Sequence, residues 1–334
     1  FDARRTVSAT RVGVIGAGSL GFHHARILRE VAGAEMAGIY DASPERSAAV
    51  STELGVHAFP SLEALLGGVD AAVIAVPTTA HAEVALAALD AGVHLLIEKP
   101  IATTVAEADA IVRKAEANGL TVATGHVERF NGALRACEQY LEDPRFAESH
   151  RLAPFGPRGT DVAVVLDLMI HDIDLLLGLV RRPVETVDAV GVGVLTGNVD
   201  IANARMVFEG GAVANITASR VSMERMRKIR FFQRSGYISL DLAKGTGEFL
   251  RLKKGATMPE GDVSLLSLMN IVERIELKGD GTDALTSELQ AWVAAVRGEA
   301  PLVVSGRDGR DALAVALRIM EKIEDHAVAV AGTA

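Results

Sequence analysis

Two short stretches hold residues whose types and spacing could do chemistry. Glu98-Lys99-Pro100 closes the largely apolar run Val93–Ile97. If that run is a buried strand, the Lys99 ammonium reaches the strand's carboxyl end, where open α/β sheets bind their ligands. A cation there could hold an oxygen beside a cofactor. Pro100 removes a backbone donor and biases Lys99 away from the helical region. The plainer alternative is a solvated charge pair ending a strand. The second stretch, Asp167-Leu-Met-Ile-His171-Asp172-Ile-Asp174, lies in the apolar helical segment Val162–Val180, with Asp161 as its N-cap. Helical spacing puts Asp167, His171 and Asp174 on one face. An Asp–His surface pair, with Asp172 solvated, would stabilise such a helix by roughly a few tenths of a kcal/mol. That does not offset desolvation in so apolar a setting. The pattern therefore favours His171 as a general base whose ring Asp167 orients. A metal held by Asp167, His171 and Asp174 ranks lower, because no further His or Cys cluster supplies ligands.

A third constellation tells what the lysine would work beside. Arg11–Ile15 reads as a strand that runs into Gly16-Ala-Gly18-Ser19-Leu20-Gly21 and then a helical pattern, Phe22–Val31. In that order the glycines allow a tight turn at Gly16, close backbone approach of a pyrophosphate at Gly18, and helix–strand packing at Gly21. The helix N-terminus favours phosphate charge. A second strand, Met36–Tyr40, ends in Asp41, where a carboxylate suits ribose hydroxyls and repels a 2′-phosphate. The cofactor implied is NAD, with Arg46 read as a helix-surface charge.

The elements that must position these groups follow by alternation. Strands at Ala71–Val76 and Leu120–Thr124 and helices at Pro44–Leu54, His81–Ala91 and Val105–Asn118 make a doubly wound parallel sheet of the Rossmann type. The first of these strands ends at Pro77-Thr78, so His81 either starts the next helix as a polar residue without contacts or lines the nicotinamide pocket. Residues 7–127 form this domain and 128–334 a second, α+β domain. Its segments Val187–Leu195, Ile201–Phe208, Ala212–Arg220, Lys228–Gln233, Tyr237–Leu242, Glu248–Leu252 and Val272–Leu277 alternate with period two, giving a mostly antiparallel sheet with one open, apolar face. The helical segments Asp283–Arg297 and Gly306–Asp325 are expected to pack back on the first domain.

Composition narrows the classes. The 334 residues exceed one ordinary core, and the net charge of -9 argues against a nucleic-acid or membrane-surface binder. Cys137 is the sole cysteine, which leaves no disulfide framework. With no apolar stretch of membrane-span length and no secretion signal at the start, a soluble cytoplasmic protein is expected.

Taken together, the glycine fingerprint, Glu98-Lys99-Pro100 and the His-bearing helix resemble the Gfo/Idh/MocA oxidoreductases, from about Arg11 to Asp325. The resemblance implies Lys99, Asp167 and His171 as the catalytic set. It places Gly16, Gly18, Ser19, Leu20, Gly21, Asp41, Pro77, Thr78, His81, Glu98 and Lys99 around the dinucleotide. The phrases Gly125-His126-Val-Glu-Arg129-Phe-Asn131 and Ser219-Arg220-Val-Ser222 look like the branch that oxidises the 3-hydroxyl of UDP-N-acetylglucosamine, a step towards a 3-amino sugar of lipid A. Lys99, His126, Arg129, Asn131, Arg158, His171 and Arg220 would then meet the nucleotide-sugar, with Arg225, Arg227, Lys228 and Arg230 as further basic groups. No metal is implied, and a homodimer or homotetramer is. The alternatives left open are an inositol or simple-sugar dehydrogenase, an NAD-using glycosidase and a non-catalytic NAD-binding regulator.

Overall fold

The computed structural model describes residues 9–156, 159, 162–256 and 270–331; Arg158 and the expected N-cap Asp161 lie outside them. The chain divides into two compact units, Phe1–Val127 with Asp283–Leu313, and Glu128–Thr282 with Ala314–Ala334. Among the described residues no helix is long and apolar enough to cross a membrane.

In the first unit β1 (Thr10–Ile15), β2 (Ala34–Tyr40), β3 (Ala71–Ile74), β4 (His94–Glu98) and β5 (Val122–Gly125) form a parallel sheet in the order β2-β1-β3-β4-β5. The order reverses between β1 and β3, and such a switch opens a crevice at the strands' carboxyl ends. β3 and the apolar part of β4 are buried on both faces, which is why they read as unbroken apolar runs. Helices α1 (Ser19–Leu28), α2 (Pro44–Leu54), α3 (Leu62–Leu66), α4 (His81–Asp90) and α5 (Val105–Asn118) fill the crossovers. α5 starts with a capping box, in which Thr104 accepts from Glu107 N and the Glu107 carboxylate accepts from Thr104 N. It stops at Gly119, whose φ of 66° is open to glycine at little cost. The helix Ala284–Val296 belongs to this unit, and so do the first turns of the helix Gly306–Ala331. Trp292, on the former, is buried among Val12, Val14 and Leu96 and donates its indole N–H to Leu95 O at 3.2 Å.

The second unit is built on an eight-stranded sheet, β13-β12-β11-β10-β6-β9-β8-β7. Its strands are β6 (Phe146–Leu152), β7 (Val184–Val192), β8 (Ile201–Phe208), β9 (Val213–Ser219), β10 (Met226–Gln233), β11 (Gly236–Asp241), β12 (Thr246–Leu252) and β13 (Val272–Lys278). All pairs are antiparallel except β6 with β9. The sequence reading has no strand at 146–152, yet β6 is central, and its strict in–out alternation brings Arg151 to the inner face. That face is Ala-rich (Ala147, Ala202, Ala204, Ala214, Ala218) and is covered by α6 (Gly132–Cys137) and α7 (Ile170–Val180).

The open face differs from expectation. Register places Asp188, Arg205, Asn215, Glu148, Arg230, Ser239, Glu248 and Glu276 in one row across all eight strands. Arg230–Glu148 (3.0 Å) and Arg274–Glu248 (2.7 Å) pair charges on this surface. Apolar residues stand in flanking rows: Val213, Phe146, Phe232 and Tyr237 in one, where ring centroids lie 5.5 Å (Phe146–Phe232) and 5.0 Å (Phe232–Tyr237) apart, and Val192, Ile201, Leu152 and Met226 in another. A face turned to water keeps period-two polarity, so Arg230 of β10 is answered by Glu148 on β6, and Lys228 stands opposite Asp241 on β11.

Because Trp292 joins its helix to β4 by both packing and a hydrogen bond, Trp292→Ala is expected to cost about 3–5 kcal/mol in urea unfolding followed by circular dichroism.

Candidate functional site

The glycine turn follows β1 directly. Gly16 (φ 100°) lies against the end of β3, where a Cβ would stand 2.6 Å from Ala75 O, and a Cβ on Gly21 would overlap Gly16 O. Both glycines are required by packing. Gly18 is different, since a Cβ there would meet nothing within 4 Å. It is also the N-cap of α1, and no side chain caps that helix. An open approach to uncapped helix N–H groups is the cradle a pyrophosphate needs. Ser19 and Leu20 are exposed in the same turn. Asp41 follows β2 with its carboxylate tied to the turn, accepting from Ala17 N at 2.6 Å and Ser43 N at 2.8 Å. One backbone donor per oxygen leaves lone pairs for ribose hydroxyls. Pro77 and Thr78 follow β3 on a 3₁₀ turn, exposed and half-buried respectively. The residues present therefore fit an NAD dinucleotide, which would supply the hydride acceptor.

Lys99 is half-buried at the tip of β4 and precedes a cis proline. Two of its neighbours differ from expectation. Glu98, assigned to the dinucleotide, is buried and accepts from His24 Nε2 at 2.7 Å, while its other oxygen accepts from Lys99 N at 3.2 Å. Burial opposes this charge. The His24 hydrogen bond, with the His24 and Lys99 charges, nevertheless holds the carboxyl below the ordinary range. His81 is 1% exposed and does not line an open pocket. Its Nδ1 lies 2.9 Å from Pro100 O and its Nε2 3.0 Å from Val76 O, a brace between the ends of β3 and β4. Burial drives this imidazole towards the neutral form, which has one N–H and can donate to only one of the two carbonyls. His126 is buried just after β5.

In the second unit the expected continuous helix is a π-turn, Val165–Met169, running into α7. The wider turn changes the angular spacing on which the Asp167–His171–Asp174 face was read. Asp167, on the π-turn, and His171, on the first turn of α7, are both half-buried. Asp174 does not join them. It is fully buried, with Arg129 donating to it from Nε at 2.6 Å and Nη2 at 2.8 Å. Gly178 makes room, because a Cβ there would overlap the guanidinium. Both oxygens of Asp174 are thereby engaged by Arg129, which anchors α7.

Asp172, in the plainer alternative a solvated residue, is buried too. Arg151 donates to it from Nε (2.7 Å) and Nη2 (3.1 Å) and to Glu128 from Nη1 (2.8 Å). These three charges bolt α7 and the segment after β5 to β6. The two acids, opposing burial, raise the Arg151 pKa further above its ordinary value.

Asn131 and Arg220 also serve the scaffold. Asn131 caps α6 and donates to Leu242 O at 2.8 Å. Arg220, 4% exposed, donates to the carbonyls of Gly159 and Val162, with Asp167 at 4.0 Å, and so fixes the lead-in to the π-turn. Asp200 anchors the adjoining loop by accepting from the N–H groups of Val194, Leu195 and Thr196 at 2.7–2.9 Å. Against the opposing effect of burial, those bonds hold its carboxyl far below the ordinary range. Of the further basic cluster, Arg227 lies 3.5 Å from Glu128 and Arg230 pairs with Glu148.

His24 and Arg151 were missed by sequence reasoning. His24 has a legible signal, a histidine on the apolar stripe of a helix opened by the glycine turn. Arg151 has none until β6 is recognised as a strand.

The fold and the first unit's site define an NAD-binding oxidoreductase. Residues 10–126 match the Gfo/Idh/MocA oxidoreductase family, NAD-binding Rossmann fold, and residues 130–239 match the Gfo/Idh/MocA C-terminal domain. The chain belongs to this family. It is 40% identical to UDP-N-acetylglucosamine 3-dehydrogenase of Acidithiobacillus ferrooxidans over 94% of this chain and 97% of that protein. A solved structure of that enzyme superposes with a TM-score of 0.86, at 38% identity over 95% of this chain and 98% of the other. Myo-inositol 2-dehydrogenase of Thermotoga maritima is 26% identical over 94% and 96%.

Replacing Arg151 by Met leaves buried Asp172 without its cation and Glu128 with only the 3.5 Å contact to Arg227, and is expected to destabilise by about 3–5 kcal/mol. Replacing Glu128 and Asp172 by Leu in the same protein should restore much of the loss in thermal melts. The Asp200 contribution to stability is present above the ordinary carboxylate pKa and is lost as pH falls through the lowered folded value. Asp200→Asn should therefore flatten the acid limb of the melting midpoint plotted against pH.

Proposed function

We propose that this chain oxidises the 3-hydroxyl of UDP-N-acetylglucosamine with NAD as hydride acceptor. The observation that carries the reading is the 40% identity to a dehydrogenase of that name across nearly the whole of both chains. In this reading Lys99 binds the reacting oxygen and favours its negative charge, as a preorganised cation does at low dielectric. His171 takes the hydroxyl proton, and Asp167 positions the imidazole. Asp41 sets the preference for NAD through the ribose hydroxyls and its repulsion of a 2′-phosphate.

The anchoring of Asp172 and Asp174 to arginines supports the assignment, because it fixes the helix that carries His171. Self-association through the outward sheet face, as a dimer or tetramer, is part of the proposal and is supported by the aromatic row Phe146, Phe232 and Tyr237.

Purified protein given NAD and UDP-N-acetylglucosamine should produce NADH, read by absorbance, with myo-inositol and free N-acetylglucosamine giving far less. Lys99→Ala and His171→Ala should each lower kcat by about 10²-fold or more. Turnover at the parent rate in either variant would overturn these roles.

A further inference from the structure

The proposed reaction needs Lys99 held in place relative to the dinucleotide turn, and a buried pair outside the assigned chemistry ties the two. His24 lies on α1, six residues beyond the turn's central glycine, and is 0% exposed. Glu98 is the residue before Lys99. Their contact of 2.7 Å crosses from the glycine-turn helix to the tip of β4. The carboxylate has a second bond, from the backbone N–H of Lys99 at 3.2 Å, so one anion is shared between α1 and the lysine's own peptide group. Gly125, paired with Glu98 across β4 and β5, gives the carboxylate its space: a Cβ there would stand 3.2 Å from Glu98 Oε2.

An acid buried here without a partner would be expensive, since effective desolvation of an ion in a protein interior costs several kcal/mol. A solvent-facing acid would serve equally well if closing the strand were its only task. The arrangement has a further property. A carboxylate offers an acceptor on each oxygen, one for His24 and one for Lys99 N, whereas a carboxamide has a single acceptor oxygen.

We propose that His24 and Glu98 form a positioning couple that sets the Lys99 backbone against the dinucleotide turn. The inference rests on the reading of Lys99 given above. Neither residue touches the reacting atoms. Both act through the peptide that carries the lysine, and their loss is expected in kcat more than in affinity for NAD.

The test uses full-length protein carrying His24→Leu, His24→Gln or Glu98→Gln, with the buried Trp292 emission, which reports on β4, as a control for folding. Hydrogen–deuterium exchange is followed at the Lys99 amide, alongside kcat and the NAD dissociation constant. The expected result is faster exchange at Lys99 in His24→Leu and Glu98→Gln. With it should come a fall in kcat of about tenfold or more and a change in NAD affinity within about threefold. His24→Gln, which keeps an N–H near the carboxylate, should recover part of both effects. If His24→Leu does not fold, the volume-conserving Glu98→Gln carries the test alone. Parental exchange at Lys99 in the folded variants would overturn the couple, and so would altered exchange with unchanged kcat. If the parent protein makes no NADH from UDP-N-acetylglucosamine while exchange at Lys99 still responds, the substrate assignment fails and the couple stands.

Discussion

A charge taken out of water must be answered by an opposite charge or by aligned N–H groups, and this constraint governs both units. Glu98 is answered by His24, Asp174 by Arg129, Asp172 and Glu128 by Arg151, and Asp200 by three backbone amides. The side-chain pairings join elements distant in sequence, whereas Asp200 gathers amides of its own loop. Removing one partner from such a pair is costly because the other stays buried. Lys99 and His171, left half-buried, directly adjoin Glu98 and Asp172 in sequence, and half-buried Asp167 lies five residues before Asp172.

The π-turn belongs to the same economy of space. A residue more per turn at Val165–Met169 shifts the phase between Asp167 and the residues of α7, so that Asp172 and Asp174 point inward to their arginines. Arg220 and Asp200 then secure the approach to the turn from β9 and the loop before β8. Scaffold and chemistry are interleaved along one short segment.

Much of the first unit is legible in the amino-acid sequence. α2 and α5 agree with their expected bounds because proline, threonine and glycine punctuate them locally. The glycine turn was readable for the same reason, as Gly16, Gly18 and Gly21 answer to geometry within one loop and the strands beside it. The second unit was harder. β6 was hidden because Glu148, His150 and Arg151 dilute its apolar signal, and its parallel partner β9 lies more than sixty residues away. The open face was misjudged because alternation shows which residues turn outward but not how polar the assembled rows will be.

The sequence by itself determined the αβ alternation, the dinucleotide turn, the carboxylate that follows β2, and the presence of a lysine at a strand tip and a histidine on an apolar helix. These depend on local spacing and backbone preference, which neighbouring residues carry. Only the tertiary structure decided which ionisable groups are braces and which stay at a surface. His81, Glu98, Arg129, Asn131 and Arg220 all have the chemistry of ligands, yet each makes hydrogen bonds that tie parts of the fold together. Burial and partners arise from segments that meet in space, so the same side chain can be a ligand or a brace until the packing is known.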